Sequence, residues 1–433
     1  MEIKRDVYLD RLIVRKHNGL IKVITGIRRS GKSYLLNTLF YRHLIAENIS
    51  EDHIIKFAFD SAEDLLKIGE DPIVLDNEKE DRKVDPSKFI NWLMPQIKGG
   101  DMYYLLLDEV QKLGAFESVL NGFLRRENLD VYVTGSNSKF LSKDILTEFR
   151  GRGDEVHVLP LSFSEYYAFK QGDKSEAYDD YSVYGGLPAV ALMVTEEQKT
   201  NYLISQMQNL YLRDIVNRYA VQDETALGKV IDVIASGIST LTNPRKIANT
   251  MHTIHGTKTC DATVDRYIGY AEEAFILTRV KRYNVKGRKY IGTPYKIYFE
   301  DVGLRNVRLS FRQIEGTHMM ENIIYNELRY RGYQVDVGTV ESREKDSSGK
   351  EIRVQREIDF IASLGSKKYY IQSAYAIPDQ EKYEQETKSF EHTMDSFKKI
   401  IIIEKSMKPR YDEHGYLMMG VKEFLLDANS LLI

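Results

Sequence analysis

The eight residues 26–33 constrain this chain more than any other segment. They read Gly-Ile-Arg-Arg-Ser-Gly-Lys-Ser and match GxxxxGK[ST], the pattern of a phosphate-binding loop. The apolar run before them, residues 20–25, is typical of a strand, and apolar residues at helical spacing follow from Ser33 onward. A glycine loop between a strand and a helix directs backbone N–H groups and the helix N-terminus at phosphate oxygens. The alternative is a glycine turn that precedes a helix by chance.

The loop predicts ATP and Mg²⁺ as cofactors. Lys32 is expected to reach the β- and γ-phosphates, and Ser33 is expected to hold Mg²⁺. The residues predicted to bind the nucleotide are those of the loop and the residue after it, namely Gly26, Ile27, Arg28, Arg29, Ser30, Gly31, Lys32, Ser33 and Tyr34.

Residues 103–109, Tyr-Tyr-Leu-Leu-Leu-Asp-Glu, have the pattern of a buried strand that ends in two acids, as in a Walker B element. Carboxylates in that position are costly unless a cation meets them. Mg²⁺, bound through water, is the predicted partner of Asp108. Glu109 is predicted to orient or deprotonate the attacking water. The alternative is a strand that ends at a solvated acidic turn.

Residues 131–138 predict another strand, with small polar residues at its end. In P-loop ATPases with an additional strand, this strand lies between the P-loop strand and the Walker B strand, and its polar end senses the γ-phosphate. Ser136 and Asn137 are the candidates, and Asn137 is preferred because its amide both donates and accepts hydrogen bonds. An ordinary polar turn is the alternative.

Two arginines, Arg150 and Arg152, precede the next predicted strand, residues 156–161. An arginine at this point is expected to stabilise charge on the γ-phosphate, within the chain or from a neighbouring subunit of a homo-oligomer. Arg152 is the first candidate and Arg150 the second. The alternative is a pair of solvated arginines in a loop.

With these segments the chain resembles the prokaryotic AAA-type P-loop ATPases that are loosely grouped with archaeal and STAND-like ATPases. The resemblance covers nearly the whole chain and is strongest over residues 1–214. It is carried by the segments GIRRSGKS, LLLDEVQ, VTGSNSKFLS, HVLPLSFSEYY, YGGLP and YLRDI. It implies an ATPase fold, nucleotide-dependent switching and a C-terminal domain of unknown function, and it implies no particular substrate.

The predicted fold class is α/β, with four domains. A P-loop NTPase core of the additional-strand, AAA type spans residues 1–162, and a helical lid spans 163–221. A winged helix-turn-helix follows over 222–312, and a restriction-endonuclease-like α/β domain ends the chain over 313–433. Parallel sheets of this class bind ligands beyond the carboxyl ends of their strands, where the motifs fall.

The winged-helix prediction depends on three predicted helices and a hairpin with a basic tip. The second helix begins at Asn243-Pro244, and the tip, residues 281–289, carries five basic residues beside two tyrosines. Such a tip suits phosphate contacts with DNA. The predicted recognition helix, however, carries Asp261, Asp265, Glu272 and Glu273, which disfavour sequence-specific readout. DNA binding and protein docking both stay open.

The order of elements after residue 315 resembles the core of PD-(D/E)xK nucleases. The matching positions are Glu321, Asp359 and Gln372, and the lysine position holds Ala374. A methyl group neither binds charge nor moves a proton, so the domain is expected to be nuclease-like in fold and degenerate in its site. Lys367 and Lys368, at the start of the same predicted strand, are the candidates to replace the missing lysine.

The composition excludes few classes. A net charge of −3 over 433 residues gives no global basic field for nucleic acid, so any such surface must be local. Cys260 is the only cysteine, which excludes an internal disulfide and fits a cytoplasmic location. No apolar run is long enough to span a membrane, so no membrane association is expected.

These observations predict a Mg²⁺-dependent ATPase whose turnover moves the winged-helix and nuclease-like domains. Two alternatives stay open. One is a STAND-like switch that is gated by ATP and turns it over rarely, and the other is an ATP-coupled DNA nuclease.

Overall fold

The structure is a computed structural model that describes residues 2–75, 82–135, 151–345 and 350–433. It separates into two compact units. The N-terminal unit comprises residues 3–159 with 273–275, and the C-terminal unit comprises residues 160–272 and 276–433 with the first two residues. No helix in the described part of the chain combines the length and apolar character needed to cross a bilayer.

The N-terminal unit is built on a five-stranded parallel sheet of order β2-β3-β4-β1-β5. Because β4 lies between β1 and β3, the predicted additional strand is confirmed. The strands are β1 (Ile21–Thr25), β2 (Ile54–Ala58), β3 (Tyr103–Asp108), β4 (Leu129–Thr134) and β5 (Gly153–His157). All five carboxyl ends therefore face one edge of the sheet.

Helices connect these strands. A continuous helical segment follows β1 and is π-helical in its middle third. The described helices are Asp6–Ile13, Lys32–Tyr34, Leu35–Phe40, Tyr41–Ala46, Ala62–Lys67, Pro72–Leu75, Pro86–Leu93 and Phe116–Phe123, with 3₁₀ turns at Glu51–His53, Met94–Gln96 and Val110–Lys112.

Every residue of β1, β3 and β4 is buried, which explains their almost unbroken apolar runs. The exception in the middle of the sheet is an ion pair between Lys22 of β1 and Asp130 of β4. Lys22 is fully buried, and Asp130 also accepts hydrogen bonds from the Tyr132 hydroxyl (3.0 Å) and the His17 N–H (3.2 Å). These additional donors to Asp130 offset part of the cost of burying the ion pair.

The C-terminal unit combines helices with an eight-stranded mixed sheet of order β12-β13-β11-β10-β9-β8-β6-β7. Its strands are β6 (Leu277–Asn284), β7 (Lys289–Phe299), β8 (Gln334–Lys345), β9 (Glu351–Leu364), β10 (Lys367–Ala374), β11 (Lys398–Ile403), β12 (Arg410–Tyr411) and β13 (Leu417–Gly420). Its helices are Phe163–Lys170, Lys174–Tyr184, Pro188–Leu192, Glu196–Ser205, Gln206–Leu212 (π-helical), Arg213–Tyr219, Glu224–Ser236, Pro244–His255, Asp261–Glu273, Val302–Arg308, Gly316–Tyr330, Gln380–Thr387 and Val421–Leu426, with a 3₁₀ turn at Phe390–His392.

The sheet crosses the predicted boundary between residues 312 and 313. The hairpin predicted as a wing, β6 and β7, is not a separate element, because β6 pairs in parallel with β8 from Arg282–Val337 to Asn284–Thr339. The three helices and the hairpin occur in the predicted order, and Asn243 caps its helix by accepting a hydrogen bond from the Lys246 N–H (2.8 Å). The hairpin therefore belongs to the same sheet as the strands of the predicted nuclease-like domain.

A close contact explains the Gly185-Gly186 pair of the YGGLP segment. A Cβ atom on Gly185 would collide with the carboxylate of Asp301, and one on Gly186 would collide with the carbonyl oxygen of Leu161. Asp301 accepts hydrogen bonds from the N–H groups of Gly186 (2.7 Å) and Leu304 (3.1 Å). The glycines thus let the chain pass close to the cap of the helix Val302–Arg308.

Asp301 gives the stability of this unit a specific dependence on pH. Burial raises the pKa of Asp301 to about 6, against an ordinary value near 3.8. The folded state binds the carboxyl proton of Asp301 more tightly than the unfolded chain does. Protonation of Asp301 therefore stabilises the fold most below about pH 4, and this stabilisation is lost as the pH rises to about 6. A shift of about two units corresponds to about 3 kcal/mol.

We therefore expect the difference in unfolding free energy, Asp301→Asn minus wild type, to rise by about 3 kcal/mol between pH 4 and pH 7. Denaturant unfolding at several pH values measures it. Asp173→Asn is the matched control, because Asp173 also caps a helix but backbone hydrogen bonds lower its pKa. The difference in unfolding free energy between Asp173→Asn and wild type should fall as the pH rises. The same pH dependence for both variants would contradict the role assigned to Asp301.

Candidate functional site

The predicted phosphate-binding loop lies at the carboxyl end of β1, between Thr25 and the helical turn Lys32–Tyr34. Gly26 and Gly31 have positive φ angles of 134° and 93°. A Cβ atom on Gly26 would also collide with the backbone carbonyl of Val158, just beyond β5. Only glycine fits both the conformation and the space at Gly26, so the first glycine of the motif is required by packing.

Lys32 points into the loop. Its ammonium donates hydrogen bonds to the carbonyl oxygens of Gly26 and Ile27, both at 2.9 Å, and the side chain is buried. The Ser30 hydroxyl is also buried and has no hydrogen-bond partner among the described residues. A cation and an orphaned hydroxyl inside one glycine loop fit the oxygen-rich phosphates of a nucleotide.

Asp108 lies at the end of β3, where hydrogen bonds from other segments converge. Its carboxylate accepts hydrogen bonds from the Thr134 hydroxyl and from the Asn37 amide (3.2 Å), and the Ser33 hydroxyl lies close enough to lower its pKa. Burial raises the pKa of Asp108, and the hydrogen bonds from Thr134 and Ser33 oppose that shift. The structure thus brings together the two residues predicted to hold Mg²⁺, Ser33 and Asp108, and this hydroxyl and carboxylate fit a hydrated Mg²⁺.

Glu109 has a left-handed backbone conformation, with φ of 52°. Its N–H donates to the Thr134 hydroxyl (3.1 Å), and its carboxylate accepts a hydrogen bond from the Gln111 side-chain amide. The backbone turn directs Glu109 away from the course of β3.

Asp60, which the sequence analysis passed over, is a third acid at this edge. It follows β2, and burial together with the negative charge of Glu109 raises its pKa. Asp60 in turn contributes to the raised pKa of Asp108. The available signal was an apolar strand, residues 54–59, ending in an acid as β3 does.

Arg152 lies at the opposite edge of the sheet. It precedes β5, and its carbonyl accepts a hydrogen bond from the N–H of Ile21, the first residue of β1 (2.9 Å). The five residues of β5, at about 3.3 Å each, place it roughly 16 Å from the phosphate edge. This distance exceeds the reach of an arginine side chain and favours a contact from a neighbouring subunit over one within the chain, and the phosphate contact of Arg152 stays a prediction. Ser136, Asn137 and Arg150 lie outside the described residues.

Arg5 holds the backbone of the phosphate-binding loop, a contact that the sequence did not predict. Its guanidinium donates to the carbonyl oxygens of Ser30 (2.9 Å) and Leu159 (2.7 Å), and the residue is 2% exposed. The Tyr8 ring lies 4.7 Å from the guanidinium carbon, and the Tyr8 hydroxyl accepts from the Leu159 N–H (3.1 Å). No spacing rule connects Arg5 to a loop 25 residues away.

The basic hairpin tip is largely exposed. Lys281, Lys286, Arg288 and Lys289 are exposed, whereas Arg282 is buried and donates to the Pro294 carbonyl (3.0 Å). Four of the five predicted cations are thus accessible.

Two of the four acids in the predicted recognition helix are neutralised. Arg279 pairs with Asp265 (2.6 Å) and with Glu272 (2.5 Å).

Three of the predicted nuclease-like positions, Glu321, Asp359 and Gln372, come together, and the lysine position supplies no cation. Glu321 and Asp359 both contact the ammonium of Lys296, at 2.8 Å and 3.1 Å. Gln372 accepts a hydrogen bond from the Asp359 N–H (3.3 Å), and Ala374 is buried in an apolar cluster. Lys368 instead lies 4.8 Å from the Phe397 ring.

Comparisons with known proteins agree with this geometry. Residues 18–167 match a family described as an AAA domain, and residues 175–315 match a domain of unknown function, DUF8612. An uncharacterised protein of Haemophilus influenzae is 34% identical over 410 residues, 93% of this chain and 94% of its own length. An uncharacterised protein of Methanocaldococcus jannaschii is 26% identical over 446 residues, 98% of this chain and 89% of its own length.

Among solved structures, the Orc1 protein of Aeropyrum pernix in complex with DNA is 12% identical and covers 72% of this chain and 93% of that one. The TM-score of 0.28 is too low to support an argument.

The contacts of Arg5 predict an effect on nucleotide binding. We expect Arg5→Ala to weaken ATP binding at least tenfold, because the Ser30 carbonyl loses a charged donor and the loop loses its support. Fluorescence titration with a labelled ATP analogue measures the affinity. Arg11→Ala is the control, since Arg11 packs on the same Tyr8 ring (5.1 Å) and the variant is expected to leave affinity unchanged. Equal affinities for wild type and Arg5→Ala would contradict the assigned role.

Proposed function

This chain belongs to the same family as the Haemophilus influenzae protein and carries a P-loop domain of AAA type, and we propose that it binds ATP with Mg²⁺ and hydrolyses it. The observation that carries the proposal is the proximity of Ser33 and Asp108, which come from the two motifs expected to hold the metal and are close enough for the Ser33 hydroxyl to lower the pKa of the Asp108 carboxyl. They are 75 residues apart in the chain and meet at the sheet edge that the loop occupies.

Each residue at this edge has a distinct proposed role. Lys32 exchanges its two carbonyl partners for oxygens of the β- and γ-phosphates, and the N–H groups of the loop surround the same phosphates. Ser33 and Asp108 hold Mg²⁺, which neutralises charge on the phosphates when it is bound. Glu109 accepts the proton of the water that attacks the γ-phosphorus, and ADP and phosphate leave.

Two further roles are proposed from the sequence. Asn137, three residues beyond Thr134 at the end of β4, senses the γ-phosphate. Arg152 reaches a nucleotide only in a neighbouring subunit, because it lies at the opposite edge of its own sheet. The proposal for Arg152 therefore requires a homo-oligomer.

We propose that the C-terminal unit carries the output of the nucleotide cycle. Its helices Glu224–Ser236, Pro244–His255 and Asp261–Glu273, with β6 and β7, follow the order of a winged helix-turn-helix. The exposed cations of the hairpin tip suit DNA phosphates, and the pairing of Arg279 with Asp265 and Glu272 reduces the repulsion from the recognition helix.

A regulatory switch with little turnover is the second candidate. The observation that favours it is the hydrogen bond from the Gln111 amide to the Glu109 carboxylate. A base held by this donor is less available to water until the contact is broken. Strong ATP binding with turnover close to background would favour this candidate. We do not propose the nuclease alternative, because the buried methyl of Ala374 occupies the lysine position.

The ATPase proposal predicts a graded loss of turnover. We expect Glu109→Gln to lower steady-state ATP hydrolysis by about 10²- to 10⁴-fold while leaving ATP binding intact, because it removes proton acceptance alone. Lys32→Ala should abolish both. Phosphate release by the purified full chain measures turnover, and Lys56→Ala, at an exposed lysine of β2, is the control. Full turnover by Lys32→Ala would refute the proposal.

The DNA proposal predicts a change in salt dependence. Alanine at the three outermost tip cations should reduce the slope of log affinity against log salt by roughly 3 for duplex DNA, about 0.9 for each phosphate contact. Fluorescence anisotropy with short duplexes measures this slope. The tip variant changes Lys286, Arg288 and Lys289, and the control changes the exposed residues Lys405, Lys408 and Arg410. The same salt dependence of DNA affinity for both variants would contradict DNA binding by the hairpin tip and would favour a protein partner.

A further inference from the structure

A buried lysine lies at the centre of three carboxylates in the C-terminal unit. Lys296 of β7 has a side chain only 3% exposed. Its ammonium lies 2.8 Å from Glu321 on the helix Gly316–Tyr330, and 2.7 Å and 3.1 Å from Glu357 and Asp359 on β9. Carboxylates from two segments therefore converge on a cation carried by a third.

The carboxylates around the ammonium are themselves held in place. Lys296 donates hydrogen bonds to Glu321 (2.8 Å) and Asp359 (3.1 Å), and Glu357 forms an ion pair with the same ammonium (2.7 Å). Two of the carboxylates have a further donor, because the Tyr298 hydroxyl donates to Glu321 (2.6 Å) and the Ser373 N–H donates to Asp359 (2.9 Å). The ammonium therefore lies among carboxylates whose positions are fixed by other contacts.

The ammonium is held in its charged form. Burial alone would lower the pKa of Lys296, but Glu321, Asp359 and Glu357 raise it well above its ordinary value. Burial raises the pKa of Glu321 to about 7. Buried carboxylates are stable in their charged form only beside a cation, and the Lys296 ammonium contacts all three of them.

The three carboxylates come from a helix and a neighbouring strand and surround one point. Clusters of carboxylate oxygens of this kind commonly bind divalent metal ions. Bound Mg²⁺ or Ca²⁺ lies about 2.0–2.6 Å from such oxygens, shorter than the separations around Lys296. Across the described ranges, no group of three or more His, Cys, Asp or Glu side chains is arranged to hold a metal ion. The centre of the cluster is occupied by the ammonium instead.

We infer that Lys296 is an internal cation that takes the place of a divalent metal in this cluster and keeps the cluster closed to metal ions. The cluster then contributes a fixed ionic link between β7, β9 and the helix Gly316–Tyr330. Removing the lysine leaves buried carboxylates uncompensated, and a divalent ion is the cation best suited to replace it.

The test is Mn²⁺ binding by the full chain without nucleotide, measured by electron paramagnetic resonance, together with thermal unfolding with and without Mn²⁺. Lys296→Ala should unfold at a lower temperature than wild type, gain one bound Mn²⁺ per chain and recover part of the lost stability in Mn²⁺. Adding Asp359→Asn should remove both the bound ion and the recovery. No gain of Mn²⁺ by a folded Lys296→Ala would overturn the inference.

A control and a second variant keep the test decisive. Lys422→Ala removes another buried lysine of the same unit, which has a single carboxylate partner, Glu404 (2.9 Å), and it should gain no Mn²⁺. Should Lys296→Ala fail to fold, Asp359→Asn in the wild-type background still decides the matter. We expect it to leave Mn²⁺ binding unchanged, and a loss of one bound Mn²⁺ would show that the wild-type cluster is open to metal.

Discussion

The hydrogen bonds that converge on Asp108 are the interaction on which the nucleotide site depends. Ser33 approaches from the helix after β1, and Thr134 approaches from the end of β4, so three segments meet at one buried carboxylate. This convergence is possible because the five strands are parallel and end at the same edge. The same hydroxyl of Thr134 accepts from the Glu109 N–H and so links the proposed metal ligand to the proposed base.

In the C-terminal unit, the predicted wing and the predicted nuclease-like core are joined by strand pairing and by a buried ion-pair cluster. Its predicted wing and its predicted nuclease-like core share one sheet through the pairing of β6 with β8, so they cannot move independently without breaking that ladder. Lys296 strengthens the connection, because it carries a charge from the hairpin into carboxylates of the helix Gly316–Tyr330 and β9. A nucleotide-driven change in this unit is therefore expected to move the hairpin and the core together.

Sequence reasoning recovered what depends on local pattern. The loop, the acidic strand end and most helices and strands followed from motif and periodicity, and the N-cap at Asn243 followed from the Asn-Pro pair. It failed where the outcome depends on contacts between distant segments. Arg5 and Lys296 acquire their surroundings only after folding, at separations that no spacing rule covers, whereas Asp60 follows an apolar strand and had a local signal.

Arg152 illustrates a second limit. The residue type and its place before a strand suggested a phosphate contact, but the direction of the strand decides which edge it occupies. In a parallel sheet the residue before a strand lies opposite the phosphate loop, and the register of Ile21 with Gly153 fixes this for Arg152. Because the predicted strands alternate with helices, a parallel sheet and this place for Arg152 follow from the sequence itself.

The central claim is that Ser33 and Asp108 form the metal position of an ATP site. The most direct measurement is calorimetric titration of Mn²⁺ in the presence of ATP into wild type and Asp108→Asn. The account predicts one Mn²⁺ bound with each ATP in wild type, and in Asp108→Asn a much weaker Mn²⁺ affinity with metal-free ATP binding retained. Identical Mn²⁺ affinities for the two proteins would show that the metal lies elsewhere and would contradict the account.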